Sequence, residues 1–464
     1  MESSALYLEG IAHHRAGRFQ DALESYDRAL ELESNSAATV NSRGVTLIAL
    51  GRIEHALADF KHAYTLDPSY LEAYLNAAAL LRDTGRFEQA VELADQAIAG
   101  CPQSGTAWHI KAVALDWLDQ REDAIDAYEK ALACDDTIEL AAGRRIFLAM
   151  QSCRWEGLTT ATEQILAKVD AGHLASQPFF LLPLPSSLPQ QRAAAELFSK
   201  KILSSDVSYP FFLRQPGQKI RVGYFSPDLP RPTSHLIAGL IEAHDRAEFE
   251  IYGFQYGRET PYDPMSQRLK GAFDVLIPID MQPNADVARM VRDIRIDIAV
   301  HLAGHTSNGR SKIFSPRVAP IQVNYLGFPG TLGMETIDYL IGDDIVIPPE
   351  HQQYYSEKIV SLPCYQVNDW KRPFPEGVVA RRDLGLPEDA FVFCGFHCAY
   401  KITPREFDVW MRLLKRVPGS VLWLMGDSDE ITSNLRKEAE ARGVAADRLI
   451  FAPRVSVSKH LARH

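Results

Sequence analysis

The densest group of chemistry-bearing residues in this 464-residue chain is Phe396-His397-Cys398-Ala399-Tyr400-Lys401-Ile402-Thr403-Pro404. A strand-like run, Ala390 to Gly395, leads into it, and a helical run, Glu406 to Lys415, follows. A lysine on such a strand-to-helix turn sits at the carboxyl end of a sheet strand, where open α/β sheets bind their ligands. A flexible ammonium suits a diphosphate leaving group, because it neutralises charge that grows as the bond breaks. The competing reading of Lys401 is an ordinary surface lysine ahead of a helix. Cys394, His397 and Cys398 superficially suggest a metal site. A structural zinc site needs four ligands in a closed shell, and no second cluster supplies the rest, so no metal is expected.

The elements that must position this turn alternate between short β-rich runs and helices. Ile220–Ser226, Phe249–Phe254, Asp274–Pro278, Ile296–Leu302, Ile321–Leu326 and Tyr339–Gly342 read as strands, with helices at His235–His244 and Asp286–Arg292. A second series has strands at 391–396, 421–425 and 449–453, with helices at 404–416 and 429–442 and a last one opening at Val457. Alternation of this kind specifies a parallel, doubly wound sheet.

The first third of the chain is different, because it repeats every 34 residues. Gly10, Gly44, Ala78 and Ala112 share one phase. Gly17, Gly51, Gly85 and Asp119 share a second, and Ala22, Ala56, Ala90 and Ala124 a third. Tyr26, Phe60, Ala94 and Tyr128 follow, then Ala29, Ala63, Ala97 and Ala131, while Pro68 and Pro102 close two units. This is the pattern of tetratricopeptide repeats. Small residues let two antiparallel helices approach, and the aromatic fills the gap to the next helix. One hairpin cannot bury its apolar face alone, so the copies stack into a solenoid with a groove. That groove suits an extended peptide, the alternatives being a purely structural or a dimerising array. Asn76 is the only asparagine at its phase, with Leu8, Ser42 and Ile110 in the other copies, so no ladder of asparagines is visible.

Four regions follow: repeats at 1–136, a helical connecting region at 137–217, and two α/β lobes at 218–378 and 379–464. Within the connecting region, 138–175 reads helical with Trp155 and Ile165 as core positions, Gln177–Ser187 reads as a loop, and a helix lies near 189–203. Tyr209–Gly217 reads as the linker into the first lobe.

Composition narrows the function classes. Hydrophobic content of 46% with 23% charged residues is that of a globular chain, and no apolar run approaches the roughly 20 residues that span a bilayer. The chain opens without a basic start and apolar core of a signal peptide, so a cytoplasmic location is expected. Six scattered cysteines do not form a disulfide framework in such a chain. Residues 1–136 carry 11 Lys and Arg against 23 Asp and Glu, a balance of -12, whereas the remainder is near neutral. An acidic repeat region argues against a nucleic-acid platform there and suits basic or polar protein segments, although its commonest meaning is a well-solvated face.

The motifs, in order, are specific. A tetratricopeptide array is followed by Arg221-Val222-Gly223-Tyr224-Phe225-Ser226-Pro227-Asp228 and Pro232-Thr233-Ser234-His235-Leu236. Then come Gly304-His305-Thr306, the run Ala319 to Thr331, and Tyr355-Ser356-Glu357-Lys358. Tyr400-Lys401-Ile402-Thr403-Pro404, Arg416 to Leu424 and Arg448-Leu449-Ile450-Phe451 complete the set. In these the chain resembles the protein O-linked N-acetylglucosamine transferase family of bacterial type. The resemblance implies a tetratricopeptide α-solenoid followed by a GT-B glycosyltransferase of two Rossmann-like lobes. It implies UDP-N-acetylglucosamine as donor, Ser/Thr hydroxyls of proteins as acceptors, and inversion at the sugar with no cofactor and no obligatory metal.

Residue by residue, the resemblance makes His235 a candidate catalytic base, which suits an imidazole near neutral pH; a helix-capping or core histidine is the alternative. The loop Asp228–Pro232 is one residue shorter than the family pattern and lacks an earlier histidine. Lys401 matches the lysine that contacts the donor diphosphate, with Tyr400 beside it, whereas His397 and Cys398 stand where the family carries amides. Leu326, Gly327, Pro329, Gly330 and Thr331 match the loop lining the sugar pocket. His305 is placed in the same cleft or in a structural role, and His460 matches a nucleotide contact. The family's His-Thr-Thr segment and its acidic partner belong downstream of His464, so the second lobe is expected to be incomplete and the chain to bind UDP poorly or not at all. The expected partners are protein acceptors along the repeat groove, a UDP-sugar and a second copy through the repeats, with no nucleic acid or membrane. The rivals are a tetratricopeptide scaffold with an incomplete GT-B region, and a GT-B enzyme using another nucleotide sugar or a non-protein acceptor.

Overall fold

The structure is a computed structural model describing residues 2–203, 214, 217–227, 233–257, 264–306, 309–367, 369–372 and 379–463. The expected loop at 228–232 and most of the linker at 209–217 lie outside the described residues. The chain divides into two compact units, Met1–Ala149 and Met150–His464.

The first unit consists of paired helices: α1 (Glu2–Arg15) with α2 (Phe19–Leu32), α3 (Ala37–Ala49) with α4 (Ile53–Leu66), α5 (Leu71–Asp83) with α6 (Phe87–Gly100), and α7 (Gly105–Trp117) with α8 (Arg121–Cys134). Each hairpin turns on the second repeat phase. Gly17, Gly51 and Gly85 have φ of 73°, 71° and 78°, a left-handed conformation that glycine adopts without strain, and Asp119 takes it at 59° in the fourth copy. Ser36 and Ser104 cap α3 and α7 by accepting from the backbone N–H of Thr39 and Ala107. The phased alanines are buried, as are Tyr26, Phe60 and Tyr128. Asn76 donates to Asn41 at 2.9 Å. α9 (Ala141–Gln151) follows, with Arg144 paired to Asp116 at 2.5 Å.

The second unit begins with α10 (Leu158–Asp170), α11 (Pro178–Leu181) and α12 (Leu188–Ile202), the last opened by a capping box between Ser187 and Gln190. The stretch expected as a loop therefore contains a short helix, because Phe180 and Leu181 are buried there and Pro178 starts a turn. Then come β1 (Ile220–Ser226), α13 (Thr233–Ala243), β2 (Phe249–Gln255), α14 (Pro264–Ala272), β3 (Val275–Pro278), α15 (Asn284–Ile294), β4 (Ile298–His301), β5 (Ile321–Tyr325), β6 (Tyr339–Gly342) and β7 (Lys358–Ser361). Neither α14 nor β7 was expected. The first is short and polar, and the second is a four-residue edge strand with an exposed Lys358, so both lack a periodic signal.

These seven strands form one parallel sheet in the order β3-β2-β1-β4-β5-β6-β7. Alternate residues feed two cores. Val222, Tyr224, Val300 and Val323 pack with Ile237 and Ile241 on one face, while Phe225, Phe254 and Ala299 pack with Val287 and Phe314 on the other. A second parallel sheet, β10-β9-β8, contains β8 (Val392–Gly395), β9 (Val421–Met425) and β10 (Leu449–Ala452), connected through α16 (Pro404–Arg416) and α17 (Asp429–Ala441) and followed by α18 (Val457–Ala462).

Candidate functional site

Strand order reverses between β1 and β4, and a crevice at such a switch point is the usual ligand site of an open α/β sheet. His235 lies there, in the first turn of α13, which follows β1, and is half-buried. Its neighbour Ser234 is fully buried, and its hydroxyl has no hydrogen-bond partner among the described residues.

The loop after β5 lies on the same edge. Leu326 adopts φ of 76°, a left-handed conformation that costs a branched residue free energy and is held by its surroundings. The Gly327 N–H donates to Leu302 O at 2.9 Å, and a Cβ on Gly327 would collide with that same carbonyl oxygen, so only glycine lets the β4 and β5 loops meet. Pro329 is exposed, while Gly330 is buried and accepts from the Asn324 amide at 3.2 Å. Thr331 is also buried, and its hydroxyl donates to Glu357 at 2.6 Å.

His305 belongs to the interior rather than to an open surface. It is 3% exposed, its Nε2 donates to Leu332 O at 2.7 Å, and its ring meets Phe198 and Phe328 edge-on. Burial pushes its pKa down to about 4. His301, at the end of β4, is equally enclosed, stacks on Phe314, and is pushed down to about 3.

The lysine turn occupies the corresponding edge of the second sheet. Ala399–Lys401 form a single 3-10 turn after β8, and the Lys401 side chain is exposed, its Nζ 5.9 Å from the Tyr400 ring centre. Lys401 lines a groove of about 610 Å³ with Leu158, Glu163, Leu184, Thr403 and Arg405. The base of the turn is fastened to the connecting helices. Tyr400 packs edge-on against Phe179 at 6.0 Å, and the buried Cys153 thiol lies 3.9 Å from Ala399 O. Trp155 packs against Phe407, and Asn434 donates to Ser152 O. Burial raises the Tyr400 hydroxyl above its ordinary value.

His460, on α18, stands 5.4 Å from the Phe396 ring, and its Nδ1 lies 2.7 Å from the Arg463 guanidinium, which itself covers Phe396. The fold thus brings His460 to the first residue of the lysine turn, and places Leu326–Thr331, His305 and His235 at the edge of the larger sheet. His397 stacks on Trp410, and Cys394 and Cys398 are free thiols. Among the described residues no group of three His, Cys, Asp or Glu could hold a metal ion.

Three positions escaped the sequence reading. Glu357 was quoted only as part of a motif, yet its buried carboxylate accepts from Thr331, Leu332 and Ser356. Its signal, a carboxylate just before a short strand, is silent without the partner loop. Cys153 and Phe179 gave no signal at all.

These features define an α/β module of two parallel sheets, with tetratricopeptide hairpins before it. The chain belongs to glycosyl transferase family 41, whose model matches residues 191–377 and 371–464, and tetratricopeptide models match residues 3–36 and 47–114. Among its relatives is the probable UDP-N-acetylglucosamine–peptide N-acetylglucosaminyltransferase SEC of Arabidopsis thaliana, 32% identical over 334 residues, which are 67% of this chain and 34% of that protein. The UDP-N-acetylglucosamine–peptide N-acetylglucosaminyltransferase of Caenorhabditis elegans is 23% identical over 366 residues, 54% of this chain and 32% of that one. The chain spans about a third of the length of these curated relatives. A mutant O-GlcNAc transferase of Thermobaculum terrenum shares the fold, with a TM-score of 0.59 at 22% identity over 92% of this chain and 76% of that one. No described helix is long and apolar enough to cross a membrane.

Proposed function

We propose that the protein transfers N-acetylglucosamine from UDP-N-acetylglucosamine to Ser/Thr hydroxyls of proteins, with inversion at the sugar and no obligatory metal. The observation that carries this reading is the switch point between β1 and β4, where His235 and the glycine loop Leu326–Thr331 stand on one strand edge. Family membership and the names of the relatives support the choice of donor and acceptor.

In this reading the acceptor oxygen attacks the anomeric carbon as the bond to the β-phosphate oxygen breaks. The hydroxyl proton passes to the His235 imidazole, and the electron pair leaves on UDP. Lys401 and its Tyr400 turn receive the growing phosphate charge, the backbone of Leu326, Gly327, Pro329, Gly330 and Thr331 forms the wall beside the sugar, and His460 contacts the nucleotide. The acidic repeats present an extended acceptor segment and pair two copies of the chain, and the protein works in the cytoplasm.

Incubation with labelled UDP-N-acetylglucosamine and a mixture of acceptor proteins tests the proposal. The expected result is a sugar adduct on Ser or Thr, lost in His235→Ala and Lys401→Ala. Consumption of a different nucleotide sugar, or calorimetric titration with no binding of UDP, overturns it.

A further inference from the structure

The Leu332 peptide unit, next to the proposed sugar loop, is gripped at both ends by buried side chains. Its N–H donates to Glu357 Oε1 at 2.7 Å, and its carbonyl accepts from Ser199 Oγ at 2.6 Å and from His305 Nε2 at 2.7 Å. A carbonyl can only accept, so the His305 proton is on Nε2 and its Nδ1 must accept. Ser311 Oγ, 3.2 Å away, is the donor that serves it. Giving that hydroxyl proton to Gly304 O instead would leave Nδ1 without a partner.

The Glu357 side is as fully determined. Thr331 Oγ1 already accepts from the backbone N–H of Ser356 at 3.1 Å and of Gly333 at 3.2 Å, so its own proton goes to Glu357 Oε2 at 2.6 Å. Ser356 Oγ donates to the same oxygen at 3.1 Å. Glu357 is 4% exposed, and burial raises its pKa. A carboxylate buried against neutral donors carries a desolvation penalty that an apolar residue at the start of an edge strand would avoid. What the carboxylate supplies in return is two acceptor oxygens aimed at two consecutive residues of one loop.

We propose that Glu357 is a positioning residue for the sugar side of the site, with His305 holding the opposite end of the same peptide. Together they fix the backbone of Leu326–Thr331 before any ligand arrives, which is the condition for a loop that recognises a neutral sugar by shape and hydrogen bonds. The inference rests on the reading that this loop lines the donor sugar pocket. It reassigns His305 from ligand contact to support.

The test uses the full chain carrying Glu357→Gln, which keeps the side-chain volume but turns one acceptor oxygen into a donor. Hydrogen exchange, followed by mass spectrometry, is expected to accelerate about tenfold across residues 326–333, the effect of losing one hydrogen bond to a charged group, while β1 and β4 keep their rates. Calorimetric titration is expected to show UDP-N-acetylglucosamine binding weakened about tenfold with UDP binding within about twofold of wild type. A merely structural role would weaken both ligands alike, and that result overturns the proposal. Unchanged exchange overturns it without reference to any ligand. Wild-type protein that binds neither ligand refutes the proposed function instead, and the exchange result still decides the clamp. Thr331→Val, which keeps shape and deletes the hydroxyl, is expected to act in the same direction with a smaller effect; full wild-type behaviour there also counts against the proposal.

Discussion

The loop after β5 and the turn after β8 occupy equivalent places, each at the carboxyl edge of a parallel sheet, yet they are held in opposite ways. The first is locked by buried groups: Gly327 against the Leu302 carbonyl, Leu332 between Glu357 and His305, and Thr331 beneath them. The second is fastened at its base, by Phe179 against Tyr400 and Cys153 near Ala399, and leaves the Lys401 ammonium exposed. In the proposed function the contrast separates two physical tasks. Recognising a neutral sugar needs rigid backbone, whereas following a charge that grows on a leaving phosphate suits a long side chain that remains in solvent until needed.

The strongest way to break this contrast is Gly327→Ala. The added methyl must push the β4 and β5 loops apart, and a loss of about 4 kcal/mol in urea unfolding is expected. A loss under about 1 kcal/mol would show that the first loop is not locked. Lys401→Ala is the complementary change. Transfer is expected to fall about a hundredfold or more, about 3 kcal/mol in the barrier, with stability unchanged to within about 0.5 kcal/mol. An equal fall in stability would make the lysine structural after all.

Of these two regions, acid should loosen the first and not the second. His301 and His305 are held at about 3 and about 4, below the ordinary 6.5, so the folded protein binds fewer protons than the unfolded chain. The stability they contribute is complete above pH 6.5 and is lost as pH falls toward those folded values. Between pH 6.5 and 5 the loss is on the order of 2 kcal/mol per ring. Glu357, raised by burial, has the opposite sign. Its contribution is present below about pH 4.5 and lost as pH rises through its folded value, which offsets part of the slope. His109 adds the same acid sensitivity to the repeats. Urea unfolding of the whole chain at pH 7 and pH 5 checks the sum, and a flat result would mean the two rings are not held neutral. The smallest effect belongs to Phe179→Ala, which is expected to lower stability by about 1–2 kcal/mol and to reduce transfer by less than Lys401→Ala. A larger fall in transfer would show that the turn's placement matters more than its charge.

Much of this molecule was legible because its signals are local. The 34-residue phases name the hairpin glycines and the buried alanines directly, since each repeat packs mainly on its neighbours. Most strands of the two sheets were legible from β-rich runs, and with them the positions of His235 after β1 and Lys401 after β8, whereas the glycine loop was singled out by the family resemblance. The short elements were not. α11, α14 and β7 span too few residues for a period to emerge, and their existence depends on what covers them. His305 shows the limit most clearly, because its residue type fits a ligand contact and a buried support equally well.

The sequence by itself determined the repeat period, the order of most strands and helices, and which residues could hold a proton or a charge, because these follow from neighbours a few positions apart. Only the tertiary structure decided what each one touches. Glu357 meets Leu332 from 25 residues away, Ser199 reaches His305 across 106, and Cys153 reaches Ala399 across 246. Contacts at such separations are set by the stacking of sheets and helices, and no local pattern of residue types encodes them.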